Sequence, residues 1–423
     1  MVKEIEISQN KKEKKDTEVK STIVTEGGDT SLSSKPKKKI SKKTITLLII
    51  ALGAMLLCGI FAFYYFGIYK AKPYKKPSDV INLNSEYLVS SIRSVFFANI
   101  PTISPKEPRT EVSPINGLLF TKTEMNELKT KRPIAVMINN HAEARPQSGL
   151  NSADIVYETL VESGITRYMA IFWSQVPPKV GPIRSARQYY LEWLSPYDPL
   201  YIHDGCADTD NPKTDACGNM ILYKIKRIGT IGAWRWNDGR RYAPHNEYSS
   251  LTSAWEYAEK QNWNSFPSIE AWKFKNDAPA SQRGTKTKVS IVFHKSINNN
   301  GNYDVIWTYD PKTNTYLKQT GGKPDLDQET NTQVYAKDVI IQEIEMTPAY
   351  GDTSGRIIQE TMGEGKAIFL LDGKITEGTW KKMNRTDRTT FYDKDGNEMV
   401  FNRGRIWISG VSRNEGKFAI IEQ

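Results

Sequence analysis

A run without a single charge, "ITLLIIALGAMLLCGIFAFYYFGIY" from Ile45 to Tyr69, divides this chain into parts that cannot share one fold. A helix rising ~1.5 Å per residue covers a hydrocarbon layer of ~30 Å over that length, so a single transmembrane helix is expected at residues 44–69. Aromatic residues crowd its C-terminal end, where amphipathic rings favour the headgroup zone. Lysines are denser before the run (Lys35, Lys37, Lys38, Lys39, Lys42, Lys43) than after it (Lys70, Lys72, Lys75, Lys76). That asymmetry predicts a plasma-membrane protein with a cytoplasmic N-terminus and extracytoplasmic C-terminal domains. The run is too long for the core of a signal peptide, and no small-x-small cleavage site follows it. Cys58 follows Leu57, which is not the small residue of a lipid-attachment site, so lipidation is set aside.

The net charge of +10 over 423 residues would suit nucleic acid, but much of the excess lies in the first 76 residues. Beside a membrane, anionic lipid is the simpler partner, and no nucleic-acid binding is expected. Residues 1–43, rich in Lys, Ser and Thr, read as a disordered basic cytoplasmic tail. Residues 70–114, with recurrent prolines, read as a stalk carrying one short helix.

The expected fold class of the remainder is α+β: a mixed α/β N-terminal domain at 115–280, then a mostly antiparallel β-rich domain at 281–423. "RPIAVMINN" has the pattern of a buried strand ending at a site, and "ADIVYETLVESGITRYMAIFW" that of two strands joined at Ser163 and Gly164. Equal parity places Glu158 and Glu162 on one face of the first arm. After Ser281 apolar and polar residues alternate, broken by the turn dipeptides Asp310-Pro311, Gly321-Gly322, Asp372-Gly373 and Asp395-Gly396.

The most chemically loaded stretch is "GPIRSARQYY", Gly181 to Tyr190. Ser185 and Gln188 have capping-box spacing, which makes Ser185 the expected N-cap of a helix. Arg184 and Arg187 would then oppose the helix dipole unless an anion sits among them. The competing reading pairs both arginines with Glu158, Glu162 or Glu192 as structural bridges. Other candidates gather at strand and turn ends: Asn139, Asn140, His141 and Arg145, then Arg167, His203 and Asp204, then Arg240, Arg241, His245 and Asn246. Cys206 and Cys217 are close enough to form a disulfide or to remain free thiols. The acidic loop between them lacks the glycine and closing glutamate of a calcium loop. Histidines and cysteines have no zinc spacing, and no phosphate-loop or dinucleotide fingerprint appears, so no metal or cofactor is expected.

Several of these segments together resemble the YerB-like lipoprotein family of bacteria, a family of unknown function. "RPIAVMINNHAEARPQSGLNSADIVYETLVESGITRYMAIF", "VGPIRSARQYY", "LYIHDG" and "RYAPHNEYSS" are similar to its N-terminal domain. "YDPKTNTYLKQTGGKP", "DVIIQE", "GEGKAIFLLDGKITEGTWKK" and "TFYDKDGNEMVFNRGRIWI" are similar to its C-terminal domain. The resemblance marks Asn139, Arg145, Pro146, Glu158, Arg167, Arg184, Ser185, Arg187, His203, Pro244, His245 and Asn246 as positions of the family pattern. It also implies an extracytoplasmic protein held by a lipid-bearing cysteine, from which the uncharged run and the cysteine-bounded acidic loop depart.

The resulting expectation is a cleft holding an anionic envelope ligand, a glycan or a lipid-linked phosphate. Arg184, Ser185, Arg187, Arg167, Arg145, Asn139, Arg241 and Asn246 would bind it. If chemistry occurs, His203 or His245 would act as acid or base with Glu158 or Glu162 orienting it; the sequence leaves open whether the protein is an enzyme. The alternative is a non-enzymatic envelope adaptor that offers a strand edge or Trp307, Trp380 and Trp407 of the β-rich domain to a protein partner.

Overall fold

The computed structural model describes Lys43 and residues 107–285 and 288–421. The expected tail, the Ile45–Tyr69 run and residues 70–106 of the stalk lie outside the described residues, Lys43 apart. The first described strands already belong to the folded part, since Glu111–Val112 pairs with Leu119–Phe120. Helix α1 (Lys122–Leu128) follows, started by a capping box in which Thr121 and Glu124 satisfy each other's backbone N–H.

The main elements of the first half are β1 (Ile134–Asn139), β2 (Ile155–Leu160), β3 (Thr166–Phe172), α2 (Gln188–Leu194) and β4 (Leu200–Ile202). They continue with α3 (Ala216–Leu222), β5 (Lys226–Gly229), β6 (Trp234–Arg235), β7 (Glu247–Tyr248) and α4 (Leu251–Lys260). Strands β1, β2 and β3 are buried at every position, as strands covered on both faces must be. Leu251, Ala254, Trp255 and Ala258 make one buried stripe along α4. The second half adds β8 (Lys288–Val292), β9 (Val305–Asp310), β10 (Thr315–Thr320), β11 (Asp338–Pro348), β12 (Gly363–Leu371), β13 (Lys374–Lys382), β14 (Thr390–Asp393), β15 (Ile406–Ser412) and β16 (Lys417–Ile420).

These elements correct the expected fold class. The two halves do not form a mixed α/β domain beside a separate β domain. One eleven-stranded sheet runs through both, ten strands in the order β14-β13-β12-β11-β15-β2-β3-β1-β4-β5 and the eleventh, Ile357–Glu360, paired with β11 off that path. The seam is the parallel pair of β15 and β2, in register from Ile406 with Ile155 to Ser409 with Glu158. Strand dominates, and the longest described helix, α4, has 10 residues. The single membrane helix is likewise not supported: among the described residues no helix is long and apolar enough to cross a membrane.

A second sheet of six strands, with β10, β9, β8 and β16 as consecutive neighbours, is antiparallel throughout. It packs on the main sheet through aromatic side chains. The Trp407 ring of β15 meets Trp307 of β9 at 5.4 Å and Tyr168 of β3 at 5.3 Å, both edge-on. Trp307, Trp380 and Trp407 are all buried, so none of them offers an aromatic surface to a partner. Two-residue hairpin loops sit at Gly321-Gly322 and Asp372-Gly373, as those dipeptides predict. Asp372 and Gly373, at φ 49° and 72°, join β12 to β13 with Leu371 opposite Lys374.

Candidate functional site

The loaded stretch is an extended lace before it is a helix. Arg184 N–H donates to Met137 O (2.9 Å), and Asn139 N–H donates to Pro182 O (2.8 Å), which fixes the stretch to the end of β1. Ile183 N–H donates to Glu247 O of β7 (2.7 Å), while Arg184 O and Gly205 O accept from Asp204 and Ala186. Residues 182–186 are thus stitched to three separate segments. Ser185 is not the N-cap: α2 begins at Gln188, Arg187 occupies the cap position, and no side chain caps it. The backbone of 183–186 takes part in these bridges instead, which keeps Ser185 out of helix geometry. Ser185 Oγ faces Gly205, at φ 72°, where an added Cβ would come within 3.1 Å of it.

This lacing gathers Asn139, His141, Glu143, Arg184, Asp204, Arg235, His245, Asn246 and Glu247 into one cluster. The Asn139 carboxamide orders the histidines. Its Oδ1 accepts from His141 N–H (2.9 Å), so its other end is the NH2, which lies 2.9 Å from His245 Nδ1 and must donate to it. His141 Nδ1 accepts in turn from Glu143 N–H (3.3 Å). With both Nδ1 lone pairs occupied, each neutral ring presents Nε2–H. The two rings stack with centroids 4.3 Å apart, and His245 Nε2 faces Glu143 Oε2 at 3.4 Å. Burial, then the neighbouring His141 and Arg184, hold His245 below the usual imidazole range against the pull of Glu143.

Opposite the histidines, Arg235 donates to Asn246 Oδ1 (3.2 Å) and Glu247 Oε2 (2.7 Å). Burial, then a hydrogen bond and the charge of Asp204, raise the Glu247 carboxyl above its ordinary range, opposed by Arg235 and Arg184. Arg184, half-buried among these groups, makes no side-chain hydrogen bond or ion pair within the described residues.

The remaining candidates are placed elsewhere or are already engaged. Arg187 grips Glu162. Buried Arg167 donates to Ser185 O (2.7 Å), and burial with the nearby Arg187 lowers its guanidinium to about 10. Arg241 is held through both Nη atoms by Asp238, Tyr248 Oη, Pro146 O and Gln328. Arg145 donates to Asn140 Oδ1 (3.0 Å) and lies over the Tyr303 ring. His203 is buried with Nδ1–H on Gly205 O (2.8 Å), and burial lowers it to about 4. Glu158 lies in the core between the sheets, whereas Glu162 lies beyond the end of β2 at Leu160. The 3-10 turn at Glu162–Gly164 ends the alternation on which their shared face depended. Cys206 and Cys217 are disulfide-bonded, and Asp215 in the loop they close caps α3 through Gly218 N–H.

His141, Glu143 and His245 offer ligand atoms within 4.8 Å of one another, a trio hidden from sequence spacing because His245 lies far along the chain. Their hydrogen bonds do not suit a cation, since Nδ1 of each histidine is engaged, each neutral ring carries its proton on Nε2, and that of His245 faces Glu143. Glu143, Arg235 and Glu247 were not singled out in the sequence. Glu247 sits inside the "HNEYSS" segment, but nothing in its spacing signals a carboxyl partner more than forty positions earlier.

Two domains of a family described as a protein of unknown function, DUF3048, match this chain, the N-terminal domain at residues 120–264 and the C-terminal domain at 294–408. "Putative lipoprotein YerB" of Bacillus subtilis (strain 168) is 31% identical over 313 residues, which is 72% of this chain and 89% of that protein. The chain belongs to the DUF3048 family. The crystal structure of YerB protein from Bacillus subtilis is similar at a TM-score of 0.62 and 28% identity, covering 73% of this chain and all of that one. Every member of the cluster, from Asn139 to Glu247, falls within the family's N-terminal segment. The seam of β2 with β15 and the contact of Tyr168 with Trp407 join its two segments into one body.

Proposed function

We propose that this chain is an extracytoplasmic envelope protein whose cluster around Arg184 binds an acidic group, the carboxylate or phosphate of an envelope glycan or lipid-linked saccharide. The observation that carries the reading is the guanidinium of Arg184, without a side-chain hydrogen bond among the described residues, near two neutral imidazoles that carry Nε2–H, that of His245 facing Glu143. Donors fixed by the backbone and half withdrawn from water are what an oxyanion needs. The broad arginine-lined cleft of the sequence reading narrows to Arg184 with Arg235 behind it, because Arg187, Arg167 and Arg241 are bound within the fold. The relative described as a lipoprotein supports placement at the membrane through a lipid anchor.

Titration of the full-length protein in detergent with sugar phosphates and hexuronic acids tests this reading. Binding that falls tenfold or more in Arg184→Gln, a change of about 1.4 kcal/mol or more, supports it. Equal binding in the variant, or no binding of either compound class, overturns it.

A further inference from the structure

Lys318 of β10 carries its amine into the layer between the two sheets, where its side chain is fully buried. Nζ lies 2.8 Å from Asp325 Oδ2, 2.7 Å from Thr320 Oγ1, 3.3 Å from Tyr168 Oη and 3.4 Å from Glu158 Oε2. The rings of Trp407 and Tyr168 stand 5.2 and 5.3 Å from it. We propose that Lys318 and Asp325 become joined by an intramolecular amide bond, with Glu158 as the proton shuttle.

The surroundings fit this condensation in several ways. One amine faces two carboxyl groups where all three are shut off from water, so both carboxyl groups cannot comfortably carry charge. Burial first, and Asp325 after it, raise the Glu158 carboxyl against the pull of Lys318, which makes Glu158 the group that carries the extra proton. Glu158 is also held still: Oε1 accepts from Thr166 Oγ1 (2.9 Å) and Oε2 from Trp407 Nε1 (3.0 Å). Asp325 Oδ2 accepts from Thr320 Oγ1 (2.7 Å) as well as from Lys318, which draws electron density from the carboxyl carbon. In water an amine and a carboxylic acid remain ions because hydration favours both charges. In a dry, aromatic-walled pocket the proton can pass from Nζ to Asp325, leaving a neutral amine in contact with a neutral acid.

The step balances without an external reagent. The Nζ lone pair forms the C–N bond at Asp325 Cγ, and the carbonyl π bond opens onto its oxygen. Glu158 gives its proton to that oxygen and takes one from Nζ. It then gives this proton to one hydroxyl of the tetrahedral adduct and takes another from the second hydroxyl. The C–O bond of the first hydroxyl breaks, water leaves, the amide remains and Glu158 is protonated as it began. The bond would span a hairpin, because Asp325 N–H already donates to Lys318 O (3.1 Å) across the strands. It would fix the segment from which Asp327 accepts Asn151 N–H (3.0 Å), a link between the two family segments of the chain.

The test is the mass of the reduced full-length protein, followed by a tryptic map. Trypsin does not cut after an acylated lysine, so the amide predicts one peptide, Thr313 to Lys337, lighter by a single water, with fragmentation placing the loss between Lys318 and Asp325. In Asp325→Asn the same peptide should lose ammonia instead, since the leaving group has changed. Glu158→Gln should retain an unlinked Lys318. Recovery of the peptide Thr313 to Lys318 at its full mass from the unaltered protein, a water lost elsewhere, or a Lys318–Glu158 link overturns the assignment. Cross-linking in Glu158→Gln equal to that of the unaltered protein overturns the role given to Glu158. The measurement on the unaltered protein stands even where a variant does not fold, and it is independent of the ligand proposed for Arg184.

Discussion

Arg187 holds Glu162 with two parallel hydrogen bonds, Nε to Oε1 at 2.5 Å and Nη2 to Oε2 at 2.9 Å. Arg184, three residues earlier, has no such partner among the described residues. The same short stretch therefore contains one arginine committed to the fold and one left to the cleft. Although burial works against ionisation, the hydrogen bonds and charge of Arg187 hold the Glu162 carboxyl below its ordinary range. Its folded value is depressed, so the stability it contributes is present above the unfolded carboxylate range and is lost as pH falls.

Arg187→Ala should therefore destabilise the protein by roughly 2 kcal/mol near neutral pH, because a mostly buried, two-pronged ion pair is broken and Glu162 is left without its cation. Arg184→Ala should stay within about 0.5 kcal/mol of the parent, since no pair is broken. Urea unfolding at neutral pH separates the two, and the difference should shrink in acid. Equal losses in both variants would mean that Arg184 is as structural as Arg187.

Local pattern carries to the ends of this site and no further. Asn139, His245 and Asn246 were legible because they sit at strand or turn ends, and Arg184 because it precedes the expected helix start after a Gly-Pro turn. Glu143, Arg235 and Glu247 join them only through the lacing of 181–186 between β1 and β7, a pairing that no local period encodes. The β-rich second half was readable because hairpins are local and their turn residues are specific. The continuous sheet was not, because β2 and β15 meet across most of the folded chain. Glu158 and Glu162 separate for a local reason: Ser163 at φ 62° belongs to a tight turn that ends the alternation before Glu162 can share the face of Glu158.

His203 should make stability fall in mild acid. Burial lowers its imidazole to about 4 from an ordinary 6.5, and its Nδ1–H bond to Gly205 O does not compensate. The folded state resists protonation that the unfolded chain accepts. Stability is thus complete above the unfolded value and falls by on the order of 2 kcal/mol as pH drops from about 7 to about 4. His203→Asn, which keeps a side-chain N–H for Gly205 O, should flatten that part of the pH–stability curve. An unchanged slope in the variant would place the acid sensitivity elsewhere.

Reduction of Cys206–Cys217 should act on both stability and the cluster. The cysteines are 11 positions apart, and opening a loop of that size costs about 2–3 kcal/mol in the chain-entropy account. Cys206 forms a bridge with Ala186, and Cys217 N–H donates to Ala207 O (2.9 Å), so the disulfide lies just beyond the lace and Asp204. Thermal unfolding with and without reductant should show a lower Tm on reduction. Cys206→Ser/Cys217→Ser should show the same loss without any further response to reductant.

Ligand binding at Arg184 should be linked to proton uptake. In the free protein, burial, His141 and Arg184 hold His245 below the ordinary imidazole range, with Glu143 opposing. An anion placed beside the His245 ring and the Arg184 guanidinium adds negative charge that offsets the effect of Arg184 on the ring, which favours the imidazolium. The bound state then has the higher His245 pKa, so affinity must rise as pH falls through the interval between the free and bound values. Binding of a sulfonate tests this cleanly, because that ligand does not itself titrate between about pH 5 and 8. Calorimetry in two buffers of different ionisation enthalpy should show a proton taken up per anion bound, a fraction of one near neutrality. The uptake should vanish in His245→Gln while Arg184 still gives weaker binding. Affinity independent of pH in the parent protein would separate His245 from the ligand and leave Arg184 as the sole anchor.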